Sequence, residues 1–250
     1  MTPRETTSTS DQALDTCLDF RVDELTSDEQ ARTAFHDEIG ERDDMLDALA
    51  QHHSADYARS FYVLYDRSAT YGHQGGPQYI ALYLQRDHRN RTLSFEHAQL
   101  PLSSMAQSWL IHRGCPPGAI ALDPDLGTTP ADEATHALER RLMNDGDHYA
   151  LGWSYTRDLP SDHVTVAVLR ALDDGVPSPF RVLVEEVDLD TWTHTLREGG
   201  FDTVSDAMTW SRERLTGTAG PLPPVRPKAA SVPPASVPQS AATHLPGRTR

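Results

Sequence analysis

YALGWSYTRDLPSDHVTVAVLRALDDGVPSPFRVLVEEV (149–187) decides the fold class. Tyr149, Leu151, Trp153 and Tyr155 alternate along one face, as side chains of a half-buried strand do. Val164–Leu169 and Phe180–Val187 are near-continuous apolar runs of strand length, rich in β-branched residues. Asp173-Asp174-Gly175 between them is turn chemistry. Three successive strands joined by short connections predict an antiparallel meander.

Upstream, Thr129 as N-cap and Pro130 at the first helical position predict a helix with Ala134, Leu138 and Leu142 on its inner face, ended by Asn144 and Gly146. Leu102, Met105 and Trp109 mark a shorter helix, stopped by Gly114 and Pro116-Pro117. Before it, Phe61–Tyr65, Tyr79–Leu84 and the alternating Thr92–His97 read as three more strands. A capping box, Thr26 with Glu29, opens an amphipathic helical stretch through Ala31, Phe35, Ile39, Leu46 and Leu49, which Gly40 can split. Downstream, Leu189, Trp192 and Leu196 predict one helix and Val204, Ala207, Met208 and Leu215 another, with Gly199-Gly200 between. The order is α-βββ-αα-βββ-αα. Segregated strands and helices predict an α+β fold, a mostly antiparallel or mixed sheet with helices packed on it. The halves echo each other in element order without a residue-level repeat, so one sheet and two lobes (24–145 and 146–216) are both compatible with it.

The ends read differently. Residues 1–23 are expected to be largely disordered, and 217–250 to be a disordered Pro/Ala/Ser-rich basic tail holding eight of the 18 prolines and no acidic or aromatic residue. Between them, 24–216 form an acidic globular body. The chain carries −15; the tail's basic Arg226, Lys228, Arg248 and Arg250 leave residues 1–216 at −19. Such a body repels phosphate backbones, so nucleic acid is not its expected partner. Lys228 is the sole lysine, which removes Schiff-base, lysine-base and P-loop chemistry from the body. Cys17 and Cys115 stand alone and form neither a disulfide framework nor a metal box. Residues 1–10 lack a signal-like apolar stretch, and the longest apolar runs are far shorter than a membrane span. A bacterial cytoplasmic location with no membrane partner is expected.

Candidate chemistry is sparse. The strand–helix–Gly-Gly–helix closing segment, 180–215, resembles a ribbon–helix–helix DNA-binding unit in outline, but Glu185 and Glu186 on its strand oppose phosphate. His52, His53 and Asp56 could begin a metal site, yet suit a solvated helix end as well. Cys115, three residues after His112, could be a nucleophile only with a partnered base and oxyanion donors; loop punctuation explains it equally. Gly152-Trp153-Ser154 lacks the second glycine of a hydrolase elbow, and the glycine loop lacks the lysine of a phosphate cradle. That loop, with Tyr71, Gly72, His73, Gln74, Gly75 and Gly76, is long for a strand connection and is the expected contact surface. Arg226 and Lys228 join it through the PxxPxR pattern of Pro221–Arg226. No cofactor and no metal are called for. The expectation is a non-enzymatic accessory or regulatory protein acting through protein contacts. The alternatives are a DNA-associated transcriptional or replication regulator and a small hydrolase with a His- or Cys-based site.

Overall fold

Large apolar residues point to both faces of the central strands, so each sheet has to be covered twice. The computed structural model describes residues 18–23, 25, 29–72, 75–144, 148–159, 162–173 and 175–227. The first sheet is an antiparallel meander of β1 (Leu46–His53), β2 (Arg59–Asp66), β3 (Tyr79–Asp87) and β4 (Thr92–Leu100). One face carries Tyr62, Leu64, Ile80, Leu82 and Leu84, packed under Phe35 and Ile39 of α1 (Glu29–Glu38) and its following 3-10 turn. The other carries Phe61, Val63, Ala81 and Tyr83, packed under Ala106 and Leu110 of α3 (Ser103–Ile111). A single-turn helix, α2 (Ala69–Gly72), sits in the β2–β3 connection.

The second sheet repeats the plan. A two-residue strand β5 (Thr129–Pro130) and the helix α4 (Glu133–Asn144) lead into β6 (Tyr149–Leu159), β7 (Asp162–Ala171), β8 (Phe180–Asp188) and β9 (Thr193–Phe201), followed by α5 (Val204–Thr216). The strand order is β5-β9-β8-β7-β6, antiparallel except for β5. Ala167, Leu169, Leu183 and Leu196 pack with Leu138 and Leu142 of α4 and with Leu102 and Met105 at the head of α3. Val164, Val166, Val168, Val182 and Val184 pack under Ala207, Met208 and Trp210 of α5. The molecule is thus layered as α1, first sheet, α3 with α4, second sheet, α5. Each fully buried Val, Leu or Ile contributes about 1.5–3 kcal/mol of transfer free energy.

The fold class is α+β with antiparallel sheets, and the two halves share the order α-ββββ-α. From β3 onward they superpose in sequence at a fixed shift, Asp87 to Asp188, or 101 positions. At that shift Leu82, Asp87, Thr92, Ser104, Ala106 and Trp109 meet Leu183, Asp188, Thr193, Ser205, Ala207 and Trp210. Asp87 Oδ1 accepts from the Arg89 and Asn90 amides, and Asp188 Oδ1 from the Asp190 and Thr191 amides, so both tight connections are closed the same way. Arg91 and Trp192 then take matching positive φ of 55° and 56°. The opening strand of each antiparallel meander, β1 and β6, has a bulge, at Ala48/Ala50 and at Leu151/Trp153.

Several expectations are corrected. Leu46 and Leu49 belong to β1 rather than to a long opening helix, and 189–198 is a tight turn and β9 rather than a helix. In β9, His194 and Leu196 are buried with Thr193, Thr195 and Arg197 interleaved, a period of two. The segment 180–215 therefore forms no ribbon–helix–helix. Asp132, not Thr129, caps α4: its Oδ1 accepts from the Thr135 amide at 2.8 Å, while Thr129 N donates to Trp192 O. Thr26 lies outside the described residues. Both boundaries of the body also move outward. Phe20 and Leu25 enter the first core, held by Arg86, whose guanidinium donates to Phe20 O. Past Gly217, residues 217–227 lie along the second sheet: Gly200 N donates to Pro223 O, Trp210 Nε1 to Gly220 O, and Leu222 packs into the α5 core.

Candidate functional site

Where the α3–α4 layer ends, the two sheets face each other across a cleft of about 710 Å³. The first sheet supplies Leu49, Tyr65 and Tyr79. The second supplies the outer end of β6, Tyr155 to Leu159, with His163 and Val187. The β8–β9 turn adds Leu189 and Trp192, α2 adds Thr70 and Tyr71, and the connection before β5 adds Leu126 to Thr128. The volume lies within the range of small-molecule and side-chain pockets. Among the described residues, eight large hydrophobic side chains are exposed, and five of them, Tyr71, Leu126, Leu159, Leu189 and Trp192, stand around this cleft. Apolar side chains concentrated at one opening, rather than scattered, mark an interaction surface.

The walls are pinned across the seam. Asp158 Oδ2 accepts from Gln78 Nε2 at 2.9 Å and from Thr70 Oγ1 at 3.3 Å, and its Oδ1 lies 3.2 Å from His163 Nδ1. Thr156 N donates to Gly75 O. Gly75 has φ +87°, and a Cβ there would fall 2.3 Å from the Tyr155 ring; only glycine lets the loop lie under that ring. Arg157 is committed elsewhere, to Asp162 at 2.7 Å and to Leu215 O. Burial, with the Asp158 and Glu185 charges, raises the Tyr65 hydroxyl well above its usual value against the opposing pull of the Gln78 hydrogen bond. Burial and Glu185 do the same for Tyr79. Both phenols therefore stay neutral.

Behind this wall lies a second polar chain. His194 Nδ1 is 2.9 Å from Thr128 Oγ1 and its Nε2 is 2.8 Å from Glu139 Oε1. Burial opposes charge on His194, but the Glu139 hydrogen bond and the Glu185 and Glu139 charges outweigh it and raise its pKa. Glu185, 6 % exposed, accepts no hydrogen bond among the described residues; burial pushes its carboxyl up to about 7 against the pull of His194.

The expected contact residues divide. Tyr71 and Gly75 line the cleft, with Gly72 closing α2 and Gly76 next to Gly75. His73, Gln74 and Lys228 lie outside the described residues. Arg226 is at the far end of the second sheet, paired with Asp202 and donating to Ser178 Oγ, so it does not share the site. Tyr65, Tyr79, Tyr155, Asp158, His163 and Trp192 carry no signal of a shared site in the sequence, since they come from four separate stretches. His52 and His53 lie on β1, where His52 stacks on Phe61 and His53 meets Ser60 Oγ at 2.8 Å. Among the described residues no group of three or more His, Cys, Asp or Glu side chains could hold a metal ion. No helix of theirs is long and apolar enough to cross a membrane. The Cys115 thiol is buried and pushed up to about 11 by desolvation, the wrong direction for a nucleophile. Comparison with known protein families, with curated proteins and with solved structures finds no match to this chain.

Proposed function

We propose that this is a non-enzymatic accessory or regulatory protein of a bacterial cytoplasm that works through protein contacts, and that its inter-sheet cleft holds a segment of the partner. The supporting observation is the rim: Tyr71, Leu126, Leu159, Leu189 and Trp192, five of the eight exposed large hydrophobic residues among the described ones, stand around one opening. Aromatic residues in such a position are the usual anchors of binding energy. A hydrolase reading would lean on Thr128, His194 and Glu139, whose spacing resembles a nucleophile, a base and its orienting group. The two carboxylates that raise the pKa of His194 favour its protonated form, which cannot take a proton from Thr128. The closing segment also lacks the paired helices that a ribbon–helix–helix reader would need.

Selection of a random-peptide display library on the full chain tests the binding reading. Enriched peptides should compete with one another and lose at least ~10-fold in affinity on a Trp192→Ala, Tyr71→Ala double variant that keeps the parent's unfolding transition, since each anchor contributes on the order of 1–2 kcal/mol. Enrichment indifferent to both substitutions would move the function away from the cleft.

A further inference from the structure

We infer that the partner group the cleft selects is a cation, the ammonium of a lysine carried on an apolar segment. This deepens the binding reading above and rests on it. Three features of the cleft converge. First, aromatic side chains crowd it: Tyr65, Tyr71, Tyr79, Tyr155 and Trp192 all line the opening or its floor. The ring quadrupole is negative over the face and attracts an alkylammonium, most strongly for tryptophan.

Second, the charges left uncompensated there are negative. Arg157, the one guanidinium in the lining among the described residues, is engaged with Asp162 and Leu215 O. Asp158 is held by two neutral donors, Gln78 and Thr70, with His163 beside it. Its carboxylate oxygens offer about four acceptor positions, so three neighbours leave room for one more donor. Its side chain is one-third exposed, enough to be reached from the cleft.

Third, Glu185 lies under the same wall. It is two residues before the lining residue Val187 on β8, hence on the same sheet face. More than nine-tenths of it is buried, and it accepts no hydrogen bond among the described residues. Its electrostatic partner is His194 on β9, so the carboxyl adds negative charge beneath the wall rather than a contact within the cleft. An anion would meet Asp158 and the aromatic side chains, with Glu185 behind them. A cation is complementary to all three, and the −19 carried by residues 1–216 steers it inward.

The test uses the full chain and isothermal titration at pH 7.5 with two capped peptides, Ac-Leu-Lys-Phe-Leu-NH2 and the same peptide with norleucine for lysine. Norleucine keeps the apolar stem and replaces the ammonium with a methyl group. The lysine peptide should bind about 10-fold more tightly. Asp158→Asn should bring the two affinities to within about twofold, chiefly by weakening the lysine peptide. Trp192→Leu, which retains apolar area but loses the π-face, should cut the preference about threefold with norleucine binding preserved. Equal binding of the two peptides by the unsubstituted protein, abolished by Trp192→Ala, would sink the cation inference while leaving the cleft as a binding site. Absence of binding by either peptide would count against both. 4-Phenylbutylamine separates the sources: if it binds as tightly as the lysine peptide, the ligand is a free amine and the partner-segment assignment falls.

Discussion

Glu185 occupies a position that a valine or leucine would fill with less difficulty. Val184 and Leu183 before it are fully at home in the two faces of the second sheet, whereas the Glu185 carboxyl enters the seam with its pKa pushed up to about 7 by burial. An unfolded glutamate ionises near 4.3. Below that pH both states are protonated and the carboxyl carries no penalty. As pH rises toward 7 the unfolded state releases its proton first, so stability is lost over that window. His194 acts in the same direction, because its raised folded-state pKa gives stability that is present at low pH and disappears as pH rises through it. Glu185→Gln is therefore expected to stabilise the protein at pH 8 by about 3–4 kcal/mol, because each tenfold change in proton affinity is worth roughly 1.4 kcal/mol, and by close to nothing at pH 4.5. Urea unfolding of both proteins at the two pH values decides it; an equal difference at both would refute the assignment.

At the scale of elements, the packed stretch 217–227 shows how a composition rich in proline and glycine can still be ordered. It needs no apolar periodicity of its own, because Gly199 and Gly200 leave a shallow track on β9 where Leu222 and Pro223 lie. A Cβ on Gly200 would approach Ser178 Oγ at 2.9 Å and the Val225 backbone at 3.0 Å. Gly200→Val is expected to lift the stretch and destabilise the protein by about 1–3 kcal/mol. Hydrogen exchange would register it as lost protection at the Gly200 amide, which donates to Pro223 O; unchanged protection would contradict it. In the sequence the same two glycines look like a break between helices. The six strands β2, β3, β4, β6, β7 and β8 are legible there because their apolar runs are bounded by turn residues. β1 and β9 are not: Leu46 and Leu49, both buried on a strand bulged at Ala48/Ala50, fall at a helical spacing, and Leu189, Trp192 and Leu196 share a helical spacing although the first two belong to the turn before β9. Of the cleft, Tyr71 and Gly75 are legible from loop length alone. Tyr65, Tyr155, Asp158 and Trp192 acquire their role only when two sheets meet, and no local pattern records that meeting.

For the whole molecule, the seam has an energetic consequence. Leu102 and Met105 leave α3 to join the core of the second sheet, and Asp158 ties β6 to Gln78 and Thr70. Neither half buries its own surface completely, so urea unfolding should be a single transition with coincident midpoints for Tyr65- and Trp210-centred probes; two resolved midpoints would show independent halves. The duplicated units, meanwhile, do not meet like to like. The first presents the face under its closing helix, α3, and the second the face under its leading helix, α4. That relation is head-to-tail rather than two-fold, and a head-to-tail contact ends itself only where its rotation closes a ring. What ends it is chemical. α3 is buried almost all round, as an internal layer has to be; its counterpart α5 exposes Ser205, Asp206, Thr209, Arg212 and Glu213. A polar outer helix is how the last layer of a stack is capped, and α5 does this for the second sheet: it covers the apolar face beneath it and offers no apolar face to a further layer.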